Sequence, residues 1–246
     1  IAIGANALLV QNDVNAKNLA VGASAGQAID SGSKNVLIGH EAGSGITDHN
    51  ENTAVGYHAL KVSTGGNNTA LGRETLLTLN DGDYNTAVGG GAMKLADGDN
   101  IEKNTAIGGG ALNQLTSTTS TGNIALGFEA GSQYTDSSTT GNLTQAVNSI
   151  YIGYQARGVH ATDATNEIVL GYNAIGIGNN TVKLGNLDIV TIEGEVATSV
   201  TSDRRIKRDI VNNDTGLALI EKLQPVTYKK VNPADYPEEI SPGNYS

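Results

Sequence analysis

Few residues of this 246-residue chain have the types and spacings that chemistry requires. The four histidines form no His-x-His pair and show no other spacing typical of metal ligands, which favours dispersed surface positions: His40, His49, His58 and His160. The sequence contains no cysteine, and this excludes disulfides and thiolate metal sites. The sequence therefore predicts no metal site and no cofactor.

Two short acidic segments could bind calcium through oxygen ligands. They read NDGD at 80–83 and DGDN at 97–100. Asp-Gly is also an ordinary turn signal, and neither segment matches the glycine-rich nonapeptide calcium repeat. We therefore expect two turns, and thermal unfolding with and without a chelator distinguishes turns from calcium sites.

The charge of the chain argues against two classes of partner. Its formal net charge is −10 at pH 7, which opposes binding to nucleic acid and to anionic membrane surfaces. Its apolar stretches are far shorter than the roughly 20 residues that a membrane-spanning helix needs. We expect neither nucleic-acid binding nor membrane insertion.

A repeat with the pattern Asn-x-Ala-aliphatic-Gly-x-x-Ala occupies most of the chain, as in NTAVGYHAL at 52–60. A fixed period of this length is typical of a solenoid in which each repeat forms one coil. The repeat is marked by eleven glycines, taken below as position 0 and mostly 16 to 19 residues apart: Gly4, Gly22, Gly39, Gly56, Gly72, Gly89, Gly108, Gly127, Gly153, Gly171 and Gly185.

The residue types around each marker glycine predict an inside and an outside. Position −1 is a branched aliphatic residue in all eleven repeats, so we expect it to face a dry interior. Position −2, on the opposite strand face, is Ala in seven of the first eight repeats, which indicates close approach by another wall. Asn at position −4 tolerates left-handed backbone and can stack in a ladder.

Positions +1 and +2 hold residues of mixed chemistry, which predicts that these positions face solvent. Aromatic residues recur at position +1: Tyr57, Phe128, Tyr154 and Tyr172. Sugar stacking on these rings is an alternative, but we favour scattered surface positions or packing between chains.

One aliphatic strand per coil gives a thin core. Burying an aliphatic side chain contributes roughly 1.5–3 kcal/mol, whereas ordering each of the about 17 residues in a coil costs on the order of 1–2 kcal/mol. We therefore expect the coils to pack against other copies of the chain, most simply as a homotrimer around a threefold axis.

Over residues 1–185 the repeat resembles the head repeats of YadA-like trimeric autotransporter adhesins, and it is similar to repeats of phage tail fibres. The resemblance implies an all-β fold, a left-handed parallel β-roll solenoid that forms a homotrimer. We expect β-roll repeats at 1–131, a polar insertion loop at 132–147 and a second β-roll section at 148–185, where Asn moves to position −5. A β connector at 186–201 follows.

A second resemblance lies in the run SDRRIKRDI at 202–210 and in the apolar residues after it: Leu217, Leu219, Ile220, Leu223, Pro225, Val226 and Tyr228. This pattern resembles the start of the endosialidase-type intramolecular chaperone domain. We therefore expect residues 202–246 to hold the beginning of that domain, with a helix at 215–223. The alternative is a solvated charged segment that leads into a helix.

The chaperone resemblance implies a domain that promotes trimer assembly and then cleaves itself off. The bond would be Thr201–Ser202, with Ser202 as the nucleophile and Lys207 as the base. Lysine acts as a base only when desolvation or neighbouring cations favour its neutral form, and three arginines could crowd it: Arg204, Arg205 and Arg208. No substrate turnover is expected beyond this single cleavage.

The sequence thus predicts a structural or adhesive segment of a trimeric tail fibre or surface fibre, on a virion or outside a cell. Such a fibre would attach to a host or prey through a glycan or protein receptor, and the alternative is a purely structural spacer. A remoter alternative is a hexapeptide-repeat acyltransferase with His40 as base, although those coils need three hexads and this chain supplies one. Loss of acetyl-CoA turnover in His40→Ala would support it.

Overall fold

The structure is a computed structural model, and it describes residues 1–13, 15–117, 119–135 and 140–192. Within these residues the chain is a parallel β-solenoid of about ten turns and contains no helix, which confirms the predicted all-β solenoid. Three predicted segments lie wholly or mostly outside the described residues: the helix at 215–223, the chaperone segment at 202–246 and the connector at 186–201.

The strands have two or three residues each, because each one crosses a single wall of a coil. In chain order they are β1 (Ala2–Ile3), β2 (Leu19–Val21), β3 (Val36–Ile38), β4 (Thr53–Val55), β5 (Val62–Ser63), β6 (Thr69–Leu71), β7 (Thr78–Leu79), β8 (Thr86–Val88), β9 (Leu95–Ala96), β10 (Ile101–Glu102), β11 (Thr105–Ile107), β12 (Ser120–Thr121), β13 (Ile124–Leu126), β14 (Gln133–Thr135), β15 (Thr140–Asn142), β16 (Ala146–Val147), β17 (Ile150–Ile152), β18 (Ala164–Thr165), β19 (Ile168–Leu170) and β20 (Val182–Leu184).

One wall of the solenoid is an eleven-stranded parallel sheet in the order β1-β2-β3-β4-β6-β8-β11-β13-β17-β19-β20. Each repeat adds one strand in register, so that Val55 of β4 pairs with Leu71 of β6. Smaller parallel sheets, β5-β7-β9 and β10-β12-β16-β18, form further walls. Strands β14 and β15 pair as an antiparallel hairpin.

The core of the solenoid is narrow and rich in alanine. From β2 to β19 position −2 of the main sheet is fully buried, mostly as alanine: Ala20, Ala54, Ala70, Ala87, Ala106 and Ala125. Position +3 is also buried alanine in most coils, including Ala42, Ala59 and Ala92. Larger buried side chains come from other parts of each coil, among them Ile29, Ile46, Leu79, Ile101 and Leu115. The inner face of the main sheet is therefore lined mainly by methyl groups, although Leu37, Tyr151 and Val169 are also fully buried at position −2.

The aliphatic residues at position −1 lie on the outer face of this chain, so the prediction of a dry interior for them is wrong. Leu71 is 46% exposed and Ile107 is 40% exposed, whereas Ala70 and Ala106 beside them are 0% exposed. Alternation along a strand puts positions −1 and −2 on opposite faces. Since position −2 faces the interior, the branched residues at position −1 lie on the outer face.

A ladder of buried asparagines at position −4 joins successive coils, as predicted. Asn68 Oδ1 accepts the backbone N–H of Asn85 at 2.9 Å, and Asn68 Nδ2 donates across its own coil to the Gly82 carbonyl at 2.7 Å. The same two bonds recur for the other members: Asn18, Asn35, Asn52, Asn85, Asn104 and Asn123. Each asparagine therefore satisfies one buried backbone donor and one buried acceptor.

The left-handed backbone lies one residue before the ladder, at position −5, where φ is between 51° and 70°. Asn148, Asn166 and Asn180 occupy this position, which explains why asparagine moves by one residue in the later repeats. Ser149 and Glu167 replace asparagine at the buried position −4 of two of these coils.

Glycine is required at position 0 for two physical reasons. Its φ lies between 121° and 140° in ten of the eleven coils, a region that L-residues with side chains avoid. The coils also approach closely here, since a Cβ added to Gly39 would lie 2.3 Å from the Gly56 carbonyl oxygen. The marker glycines thus permit both the turn out of the strand and the stacking of coils.

Candidate functional site

The outer side of the main sheet carries a continuous row of branched aliphatic residues, here called the outer aliphatic face. It consists of the residues at position −1: Ile3, Val21, Ile38, Val55, Leu71, Val88, Ile107, Leu126, Ile152, Leu170 and Leu184. Position −3 shares this side and supplies only aliphatic residues and threonine from β2 to β20. With strands about 4.8 Å apart, eleven rungs extend over roughly 48 Å. Monomeric proteins rarely expose an apolar surface of this length, which indicates a protein contact.

The aromatic residues at position +1 form a stack that runs from coil to coil. The rings of Phe128 and Tyr154 have centroids 5.4 Å apart, and those of Tyr154 and Tyr172 are 5.6 Å apart, with interplanar angles of 18° and 24°. These rings are 45–64% exposed, which confirms that position +1 faces solvent. However, Tyr154 is stacked between the other two rings, so its faces are less accessible to a sugar than those of an isolated ring.

The solenoid brings together His40, Glu41 and His58, so the expectation of dispersed histidines is wrong for this pair. His40 and Glu41 occupy positions +1 and +2 of one coil, and His58 occupies position +2 of the next. His58 Nε2 lies 3.2 Å from Glu41 Oε2, and one ligand atom from each of the three residues lies within 4.8 Å of the others. Tyr57 stacks on the His58 ring with centroids 3.7 Å apart. The sequence signal for this contact was the separation of 18 residues between His40 and His58, which is about one coil.

Ion pairs surround this cluster. Lys61 Nζ lies 2.6 Å from Glu41 Oε2, and this contact holds the pKa of Glu41 below its ordinary value. A similar pair lies two coils further along the chain, where Lys94 Nζ is 2.7 Å from Glu74 Oε2 and lowers the pKa of Glu74 in the same way. Burial, assisted by the positive charge of Lys61, lowers the pKa of His58, so its imidazole is neutral at pH 7.

A carboxyl group is buried in the later coils. The Tyr151 hydroxyl donates to Glu167 Oε2 at 3.2 Å, and the Gly178 N–H donates to Glu167 Oε1 at 3.2 Å. Burial raises the pKa of Glu167, and burial together with the Glu167 charge raises the pKa of Tyr151. The interior of these coils therefore contains a group whose ionisation is unfavourable.

The acidic segment 80–83 connects β7 to β8 and is held to the preceding coil. Asp83 Oδ1 accepts the Gly66 N–H at 2.7 Å, and the Asp81 N–H donates to Thr64 Oγ1 at 2.8 Å. A Cβ on Gly82 would lie 2.4 Å from the Ile101 carbonyl oxygen. Across the described ranges, neither acidic segment gathers three carboxylate or imidazole ligands close enough for one cation.

The predicted cleavage residues Ser202 and Lys207 lie outside the described residues, so the proposed roles of both stay predictions. Among the residues that the structure does describe, no helix is long and apolar enough to cross a membrane.

Comparison with known proteins identifies the segment that contains Ser202 and Lys207. Residues 202–241 match the family described as chaperone of endosialidase. No curated protein and no solved structure matched the chain. The family match and the parallel β-solenoid together fit a tail fibre that carries an endosialidase-type chaperone.

Proposed function

We propose that this chain is a structural and adhesive segment of a trimeric tail fibre or surface fibre that attaches to a host or prey. The observation that carries the proposal is the chaperone-of-endosialidase match at 202–241 in a chain whose earlier residues form a long parallel solenoid. Its place is a virion or the outside of a cell, and its partners are two further copies of itself and a surface glycan or protein receptor.

The outer aliphatic face supports the trimer. It is uncharged along its whole length, while the charged groups of the His40–His58 region lie at positions +1 and +2. A second copy with the same face and the same coil spacing would match it rung for rung. Burying each aliphatic side chain contributes roughly 1.5–3 kcal/mol, which adds the core that one thin coil lacks.

Removing the chaperone segment tests its role in assembly. We expect a chain synthesised without residues 202–246 to give far less trimer than the full-length Ser202→Ala chain, because the segment acts during assembly and cleavage is not needed for that action. Native mass spectrometry after expression at equal levels measures both yields. Equal trimer yields from the two chains would contradict a chaperone function.

Self-cleavage has a specific chemical form in this proposal. Ser202 Oγ attacks the carbonyl carbon of Thr201 while Lys207 accepts the hydroxyl proton. The bond from that carbon to the Ser202 nitrogen breaks, the nitrogen takes up the proton, and water then hydrolyses the resulting ester. Intact-mass analysis should find a fragment that ends at Thr201 in the wild type and an uncut chain in Ser202→Ala and Lys207→Ala. Lys230→Ala is the matched control and should cleave; cleavage in Ser202→Ala would contradict the assignment.

A purely structural spacer is the second candidate. The mutual stacking of Phe128, Tyr154 and Tyr172 favours it, because the sides of the rings that face one another are not available to a sugar. Binding of the isolated trimer to a glycan array would favour adhesion by this segment. Absence of binding, with binding restored when a distal domain is fused, would favour the spacer.

A further inference from the structure

We propose that His40, Glu41 and His58 form a binding site for a transition-metal dication of the zinc class on the outer surface of two adjacent coils. The site would join neighbouring coils by a coordinate link, in addition to the backbone ladder. It is independent of the fibre assignment, because it depends only on side chains of the solenoid.

The chemistry of the three side chains selects the metal. Two imidazoles and one carboxylate form a ligand set that zinc accepts with a water as fourth ligand, whereas calcium and magnesium prefer oxygen ligands alone. His58 and Glu41 are both half-buried, and Tyr57 stacks on His58, so two of the three ligands are held in place. His40 is exposed, and its ring stacks on Tyr57 with centroids 5.5 Å apart, which keeps it beside the other two ligands.

The distances are close to those of a loaded site. Zinc bonds of about 2.0–2.1 Å in tetrahedral geometry place ligand atoms roughly 3.3 Å from one another. His58 Nε2 and Glu41 Oε2 are already 3.2 Å apart. One ligand atom from each residue lies within 4.8 Å of the other two, so movements of at most about 1.5 Å complete the set.

Lys61 competes with the metal for the same carboxylate. Its ammonium group lies 2.6 Å from Glu41 Oε2, which shows that this position already attracts a cation. The Lys61 side chain is 36% exposed and can swing into solvent when a dication arrives. Removing its charge should therefore tighten metal binding, an effect opposite to that of removing a ligand.

The test is a titration of the full, metal-free chain with Zn²⁺ by calorimetry, repeated with Co²⁺ followed by visible absorption. We expect one ion per chain, and an intense cobalt spectrum of the kind that four-coordinate sites give. His40→Ala, His58→Ala and Glu41→Gln should each weaken zinc binding about tenfold or more. Lys61→Met should strengthen it.

His49→Ala and His160→Ala are the matched controls, and both should bind zinc as the wild type does. Circular dichroism and the melting temperature without metal confirm that each variant is folded. The proposal is overturned if the double variant His40→Ala/His58→Ala, when folded, binds zinc as tightly as the wild type. It is also overturned if the wild type takes up no zinc.

Discussion

At the scale of single residues, three positions in most coils carry out distinct tasks that the residue type explains. Glycine at position 0 allows a backbone angle and a close approach that no other residue allows, as Gly39 and Gly56 show. Alanine at position −2 fits the narrow inner face. Asparagine at position −4 has a donor and an acceptor on one short side chain, so it can satisfy two buried backbone groups at once.

Gly89→Ala should be strongly destabilising, and the adjacent Gly90→Ala provides its control. At Gly89, φ is 121° and an added Cβ would lie 2.7 Å from the Gly108 carbonyl carbon, whereas at Gly90 the nearest atom would be 3.8 Å away. We expect a loss of roughly 2–4 kcal/mol for Gly89→Ala and little change for Gly90→Ala, measured by denaturant unfolding. Equal effects at both positions would contradict the stacking of coils through position 0.

Glu167→Gln should stabilise the protein at neutral pH. Burial raises the folded-state pKa of Glu167, so stability is highest below the unfolded-state pKa and is lost as pH rises toward the folded-state pKa. The amide carries no charge and removes this loss. Between about pH 4 and pH 7, the free energy of unfolding should fall less for the variant than for the wild type. Asp163→Asn, at an exposed carboxylate, is the matched control.

At the scale of elements, the asparagine ladder is buried, whereas the outer aliphatic face is exposed on this chain. The ladder is internal to one chain and links coils through side-chain bonds to backbone. The outer aliphatic face is the uncovered side of the main sheet. The ladder therefore contributes to the fold of each chain, and the face is the surface that we propose for contact between chains.

Asn85→Ala should destabilise the solenoid itself. Asn85 Oδ1 accepts the Asn104 N–H at 3.1 Å, and Asn85 Nδ2 donates to the Ile101 carbonyl at 2.7 Å. The substitution leaves both backbone groups buried without these partners, at a cost of roughly 2–5 kcal/mol. The exposed Asn12→Ala is the control. Thermal melts that show no difference between the two variants would contradict a structural role for the ladder.

Leu71→Asp should prevent association without unfolding the chain. Leu71 belongs to the outer aliphatic face and is 46% exposed, while Val62 of β5 lies outside that face and is 44% exposed. A carboxylate buried between copies without a partner is strongly unfavourable. Sedimentation velocity should show monomers for Leu71→Asp and unchanged association for Val62→Asp. Loss of association in both variants would show that the contact is not specific to this face.

The sequence was sufficient for the period, the strands and the ladder, because each depends on a residue type that recurs at a fixed position. It did not reveal which strand face points inward. Alternation alone cannot decide this, and the uniform aliphatic residues at position −1, such as Leu71, suggested a core, whereas the buried position is −2. The His40–His58 contact needed the coil geometry as well, since it joins position +1 of one repeat to position +2 of the next.

At the scale of the whole molecule, the solenoid combines a large uncharged surface with a chaperone-type segment. A chain that exposes such a surface before assembly is prone to form wrong contacts. An attached assembly domain would keep three copies in register until their faces meet. The left-handed winding stays a prediction from the resemblance to YadA-like heads.

Sedimentation equilibrium of the purified wild-type protein, together with its intact mass, tests the central claim most directly. The chain has a mass of 25.2 kDa, and we expect particles of three times the chain mass found by mass spectrometry, whether or not cleavage has occurred. The trimer should persist on dilution because its apolar interface is long. A particle with the mass of one chain would contradict the trimeric fibre.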